Sequence, residues 1–131
     1  MEEENGLPKL GASATTLGVR LGRDIIPDSA GMVHRPQFLP GQANGLSGAP
    51  DIGSLPLFVL PASWGGRNKK TVLWSIDPQD LGPDLVAQED SRSAKQRHVS
   101  IGPSRAMTAD EYSRAIESTR PKWRQVNKPG P

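Results

Sequence analysis

The stretch HVSIGPSRAMTADEYSRAIESTRP, residues 98–121, decides the fold class, because it changes from a strand pattern to a helix pattern within one segment. At its start, Val99 and Ile101 alternate with other residues and fall on one face of a strand. Pro103 ends this strand, since proline lacks the backbone N–H that a neighbouring strand would use. The segment therefore predicts a strand followed closely by a helix.

The second half of this stretch predicts the single helix of the chain. Thr108 is a suitable N-cap, and Glu111, three residues later, completes a capping box. Met107, just before the cap, is placed to pack on Tyr112 as a hydrophobic staple. Pro121 stops or kinks the helix because proline cannot continue the hydrogen-bond pattern. The helix face expected to dock on the sheet consists of Tyr112, Ala115, Ile116 and Thr119.

Short strands are predicted before this helix. Residues 71–76 (TVLWSI) give the clearest pattern, because they are rich in β-branched and aromatic residues. Alternating apolar residues in 15–26 (TTLGVRLGRDII) predict a strand with Arg20 in its middle. Strands followed by one helix indicate an α+β fold with a mainly antiparallel sheet. The other predicted strands are residues 32–34, 57–60 and 85–87.

The composition predicts one compact domain with few helices. A chain of 131 residues suits a single core. Its 14 Gly and 13 Pro residues, about a fifth of the chain, favour short strands and turns. We expect a flexible N-terminal end at residues 1–14, a single domain at residues 15–125 and a flexible tail at residues 126–131.

Charge and residue content exclude several classes of protein. The chain has no Cys, which excludes disulfides and thiolate nucleophiles. A formal net charge of +2 is close to balance, so charge alone does not indicate nucleic-acid binding. No apolar run reaches membrane length, and the acidic residues 1–5 do not fit a cleavable signal peptide. We expect a cytoplasmic protein, or one delivered without a Sec signal into the cytoplasm of a target cell.

No strong catalytic motif is present, but three polar residues are candidates for a site. Arg20 can clamp a phosphate, although a solvated surface arginine is an equally good interpretation. Ser47, flanked by Gly45 and Gly48 in a Gly-rich turn, can orient a sugar or an amide; its alternative role is that of a turn residue. His98 can hydrogen-bond a ribose or act in acid–base chemistry, and otherwise is a satisfied structural histidine. With two histidines and scattered carboxylates, no metal-ligand pattern exists and we expect no metal.

These segments together resemble the ADP-ribosyltransferase toxin family known from type VI secretion effectors. The resemblance covers residues 15–125 and is most specific in the last 55 residues of that region. In the N-terminal half it is carried by Arg20 in the first predicted strand and by Gly45-Leu46-Ser47. In the C-terminal half it is carried by IDP at 76–78, GPDL at 82–85, KQRHVSIGP at 95–103, Ala106-Met107 and Trp123.

The resemblance implies a diphtheria-type ADP-ribosyltransferase fold, with two small antiparallel sheets split around a cleft, and NAD as the substrate. It implies that Arg20, Gly45 and Ser47 bind NAD, with Ser47 supporting the nicotinamide ribose, and that His98 and Ser47 are the catalytic residues of the cleft. It also implies a toxin with a cognate immunity protein and a macromolecular acceptor. Apart from its acidic start, Glu2-Glu3-Glu4, the chain has no Glu-x-Glu or Gln-x-Glu motif, which departs from the wider superfamily and argues against ordinary glutamate-assisted transfer.

Two other functions are compatible with the sequence. A small ribonuclease toxin would use His98 as the acid–base group, Arg20 and Lys95 as phosphate binders, and His34 as a second proton carrier. A non-catalytic interaction module would explain the Gly and Pro content and the missing glutamate. Released nicotinamide, cleaved RNA or unchanged toxicity of a His98→Ala variant distinguishes the three functions.

Overall fold

The computed structural model describes residues 1–13, 15–37, 44–51, 54–55, 62, 65, 72–91 and 97–126. In these ranges every named strand pairs antiparallel with its neighbour, and one α-helix, α1 (Ala109–Ser118), follows most of the strands. The predicted α+β fold class with one helix near the C-terminus is confirmed.

Small sheets, rather than one continuous sheet, make up the described part of the chain. The strands are β1 (Glu3–Glu4), β2 (Leu7–Pro8), β3 (Met32–Val33), β4 (Leu46–Gly48), β5 (Trp74–Ser75), β6 (Leu85–Ser91), β7 (Arg97–Pro103), β8 (Met107–Thr108) and β9 (Arg124–Gln125). The largest sheet has three strands in the order β4-β7-β6, and three other sheets, β1-β2, β3-β8 and β5-β9, have two strands each. Segments Pro78–Leu81 and Arg120–Lys122 form 3₁₀ helices.

The helix begins as the sequence predicts and supplies the centre of the core. Thr108 Oγ1 accepts a hydrogen bond from Glu111 N at 3.1 Å, and Thr108 N donates one to the Glu111 carboxylate at 3.3 Å. Tyr112 and Ile116 are buried on its inner face. The core cluster that they join consists of Leu17, Val19, Ile25, Val33, Leu81, Leu85, Ile101 and Met107.

The first residues of the chain form a hairpin, β1-β2, in the region where the sequence predicts a flexible end. The Met1 ammonium donates to the carbonyl of Val72 at 3.0 Å, and Trp74 Nε1 donates to the Met1 carbonyl at 2.8 Å. Arg120 Nε donates to the carbonyl of Pro8 at 2.7 Å. Strand β2 is thereby linked to the segment after the helix.

The prediction of a strand at residues 15–26 is wrong. The structure has only two isolated bridges there, one of them joining Leu21 to Ile25. Arg20 N donates to Asp24 Oδ2 at 2.7 Å, and Asp24 N donates to the Arg20 carbonyl at 2.8 Å, so the segment closes on itself. A side chain that bonds nearby backbone in this way competes with strand pairing.

The other predicted strands differ mainly in length. The segment at 85–87 extends into the seven-residue β6, and the one at 98–101 extends into the seven-residue β7. The segment at 32–34 becomes β3, of two residues. Of residues 71–76, the pair Trp74–Ser75 forms β5, and position 71 lies outside the described residues, as do 57–60.

Candidate active site

Strand β4 is held in place by the hydroxyl of Tyr112. This hydroxyl donates to the Ile101 carbonyl at 2.6 Å and accepts from Leu46 N at 3.1 Å, so it joins β4 to β7 through the helix. A Cβ at position 45 would collide with the same hydroxyl, and Gly45 has φ of +112°, which explains the glycine. Gly45 N donates to the Asp24 carbonyl at 2.7 Å, so this amide is already engaged.

The register of the three-stranded sheet brings two of the predicted site residues together. Ser47 lies directly opposite Ser100, which lies directly opposite Gln88 on the next strand. His98 is two residues from Ser100 and therefore shares its face. Diagonal neighbours of this kind, here Ser47 and His98, are separated by about 7–8 Å between Cα atoms. We call this side of the sheet the polar face; it carries the exposed Ser47, the half-buried Gln88 and His98, and the buried Ser100.

The polar face is bordered by the chain that follows β3. A Cβ at Gly102, on the same face as Ser100, would lie 2.5 Å from Pro36 Cγ, so Pro36 covers that end of the sheet. Arg35 Nε donates to Gln88 Oε1 at 3.4 Å, a long hydrogen bond. Sequence reasoning missed Arg35 and Gln88, because the pairing register that brings them to this face is not readable from the chain.

Arg20 does not lie in a strand, and its guanidinium is held by Asp24. Nε donates to Asp24 Oδ2 and Nη2 to Asp24 Oδ1, each at 3.0 Å. Partial burial opposes ionisation of Asp24, but the hydrogen bonds and charge of Arg20 hold the pKa of that carboxyl below its usual range. The backbone carbonyl of Asp24 also accepts a hydrogen bond from Gly45 N, so the loop formed by residues 20–24 adjoins the start of β4. Among the described residues, the side chain of Arg20 bonds Asp24 and not the polar face.

The glutamate of β6 lies away from the polar face. Glu89 is opposite Val99 in the register, which places it on the other side of the sheet from Ser47 and His98. Its carboxylate accepts from Arg97 Nε at 2.6 Å and from Arg97 Nη2 at 3.1 Å. The same arginine reaches Asp51 at 3.2 Å. This group is an exposed ion-pair network, and Glu89 is not positioned to replace the missing glutamate motif.

The second histidine belongs to a different part of the fold. His34 directly follows β3, and its Nε2 lies 2.6 Å from Asp28 Oδ2. The hydrogen bond from His34 lowers the pKa of Asp28. Lys95, the other residue of the ribonuclease interpretation, lies outside the described residues.

A cavity of about 230 Å³ lies elsewhere on the molecule. Its volume is below the roughly 300 Å³ at which small-molecule sites begin. None of the predicted site residues lines this cavity, and the candidate site is therefore the polar face. The residues that line the cavity are Ser75, Asp77, Asp80, Lys122 and Arg124.

The described ranges contain neither a metal-binding cluster nor a membrane-spanning helix. No group of three or more His, Asp or Glu side chains there is arranged to hold a metal ion. None of the helices in that part of the chain has the length and apolar content needed to cross a membrane.

Comparison with known proteins identifies the family. The family model of the Tse2 ADP-ribosyltransferase toxin matches residues 1–123. Because the match spans most of the chain, the chain belongs to this family, and the resemblance seen in the sequence is confirmed. Searches of curated proteins and of solved structures each gave no match.

Proposed function

We propose that this member of the Tse2 ADP-ribosyltransferase toxin family uses NAD as its substrate. In the proposed reaction, the bond between the nicotinamide nitrogen and ribose C1′ breaks, and its electron pair leaves with neutral nicotinamide. The acceptor attacks the oxocarbenium-like ribose, forms a new bond to C1′ and loses a proton. The site must therefore hold the dinucleotide in place and stabilise the positive charge that develops on the ribose.

The observation that carries this proposal is the pairing of β4 with β7. Ser47 and His98 share one face of the sheet, with Ser47 directly opposite Ser100. In our proposal Ser47 supports the nicotinamide ribose, and His98 hydrogen-bonds a ribose hydroxyl or orients the acceptor. Arg20, with Gly45 beside its loop, contacts the dinucleotide through its Nη1 end, because Asp24 holds its Nε and Nη2 edge.

The biological setting is part of the same proposal. A domain spanning residues 15–125 acts in the cytoplasm of a target cell, which it reaches by type VI secretion and without a Sec signal. The acceptor is a macromolecule of that cell. A cognate immunity protein protects the producing cell by binding the toxin.

The test is growth of a host that expresses the wild type, Ser47→Ala or His98→Ala, with NAD followed in the same cells. We expect the wild type to arrest growth and consume NAD, and both variants to lose both effects while remaining folded. Ser118→Ala removes a serine from the exposed end of α1, and His34→Ala removes the other histidine; both controls should remain toxic.

Other outcomes separate the rival functions. Growth arrest with unchanged NAD and cleaved RNA would establish the ribonuclease, and in that case His34→Ala should also lose toxicity. Growth arrest that survives Ser47→Ala and His98→Ala would contradict the polar face as the active site. A wild type that neither arrests growth nor consumes NAD would contradict the toxin itself.

A further inference from the structure

The arginines near the polar face differ in how far their charge is already neutralised. Arg20 is held by Asp24 through two parallel hydrogen bonds. Arg97 is held by carboxylates on the opposite side of the sheet. A guanidinium that is already paired with a carboxylate offers less net attraction to a phosphate, because the two charges oppose each other at the ligand.

Arg35 is the exception. Its side chain is exposed, and its Nε donates to a neutral group, the amide oxygen of Gln88. Among the residues that the structure describes, no carboxylate forms an ion pair with Arg35. Its backbone is fixed by the buried Pro36, which packs against Gly102. The guanidinium of Arg35 is therefore held at the border of the polar face by Gln88 and by the packing of the neighbouring Pro36.

We propose that Arg35 binds the pyrophosphate of the dinucleotide substrate, with Gln88 orienting the guanidinium. This inference rests on the proposed function, because it assumes that a nucleotide lies on the polar face. In NAD the pyrophosphate is joined to the nicotinamide ribose through C5′, and Gln88, which contacts Arg35, lies across β7 from Ser47 on the same face of the sheet. Arginine suits this ligand because its planar fork makes two parallel hydrogen bonds to phosphate oxygens.

The test compares binding of three probes to the purified full chain: NAD, inorganic pyrophosphate, and nicotinamide riboside, which has no phosphate. We expect Arg35→Ala to bind NAD and pyrophosphate about 10- to 100-fold more weakly, the size of a lost charge-assisted contact. Binding of nicotinamide riboside should not change. Gln88→Glu places a carboxylate beside Arg35 and should weaken NAD binding in the same way. Arg114→Ala, which removes an equal charge from the exposed side of α1, is the control and should bind all three probes as the wild type does.

The outcomes separate this inference from the proposed function. If the wild type binds NAD and Arg35→Ala binds it equally well, Arg35 has no such role and the NAD-dependent activity stands. If the wild type binds pyrophosphate through Arg35 but does not bind NAD, the phosphate site stands and the proposed substrate is wrong. Weakening of nicotinamide riboside to the same extent as NAD would show a structural role and overturn the inference, as would a wild type that binds neither NAD nor pyrophosphate.

Discussion

Replacing Tyr112 with Phe tests whether one hydroxyl joins the helix to the strand that carries Ser47. The substitution keeps the buried ring and removes a group that donates to the Ile101 carbonyl and accepts from Leu46 N. Two backbone groups then lose their partner, and each costs about 1–3 kcal/mol when it is buried. Because Leu46 is only half-buried, the cost of leaving its amide without a partner lies at the low end of this range. We therefore expect the free energy of unfolding to fall by about 2–4 kcal/mol.

Urea denaturation measures this loss directly. We expect the midpoint to fall with an unchanged slope, since the surface exposed on unfolding hardly changes. Ser118→Ala, which removes an exposed hydroxyl from the same helix, should change stability by less than about 0.5 kcal/mol. A Tyr112→Phe variant as stable as this control would refute the bridging role of the hydroxyl.

The same hydroxyl predicts how stability changes at high pH. Burial raises the pKa of Tyr112 well above its ordinary value, and the negative charge of Asp24 adds to the increase, against the opposing hydrogen bond from Leu46. A folded-state pKa above the unfolded one means that the stability is complete below pH of about 10 and is lost as the pH rises further. We expect the wild type to lose about 1.4 kcal/mol per pH unit above that point, and Tyr112→Phe to lack this contribution. Equal slopes in the two proteins would contradict the burial of this phenol.

Three other substitutions test the framework of the fold. Gly45→Ala should destabilise by more than about 2 kcal/mol, because its Cβ meets the Tyr112 hydroxyl at a positive φ; a normal denaturation midpoint would contradict this geometry. Arg120→Ala loses its hydrogen bonds to the β1-β2 hairpin, so amide exchange there should quicken by about tenfold while that of α1 is unchanged. Thr108→Ala removes the capping box and should lower the free energy of unfolding by about 1 kcal/mol in the same denaturation assay. An unchanged midpoint would show that the capping box does not stabilise the helix.

The parts of the fold that follow from neighbouring residues could be predicted from the sequence. The capping box at Thr108 and Glu111 is complete within four residues, and the structure has it. The strand predicted at 15–26 was wrong because alternating apolar residues also occur in a segment that closes on itself. There the Asp24 carboxylate bonds the Arg20 backbone, a contact that an alternation pattern does not reveal.

The candidate site depends on pairings between distant parts of the chain. The sequence identified Ser47 and His98 as candidates from their polar side chains and their neighbouring residues. That they share one face of the sheet depends on the register of β4 against β7. A shift of one residue would reverse the side on which each side chain lies. Arg35 and Gln88 gave no signal at all, since they come together over 53 positions of sequence.

The most direct test of the account is to find where NAD binds. Amide chemical shifts of the isotope-labelled protein, recorded as NAD is added in steps, report the contacted residues without any substitution. We expect the largest changes at Ser47, Gln88 and His98, on the polar face. Changes confined to Ser75 and Arg124, in the separate cavity, would contradict this location, and an absence of changes at saturating NAD would contradict NAD as the substrate.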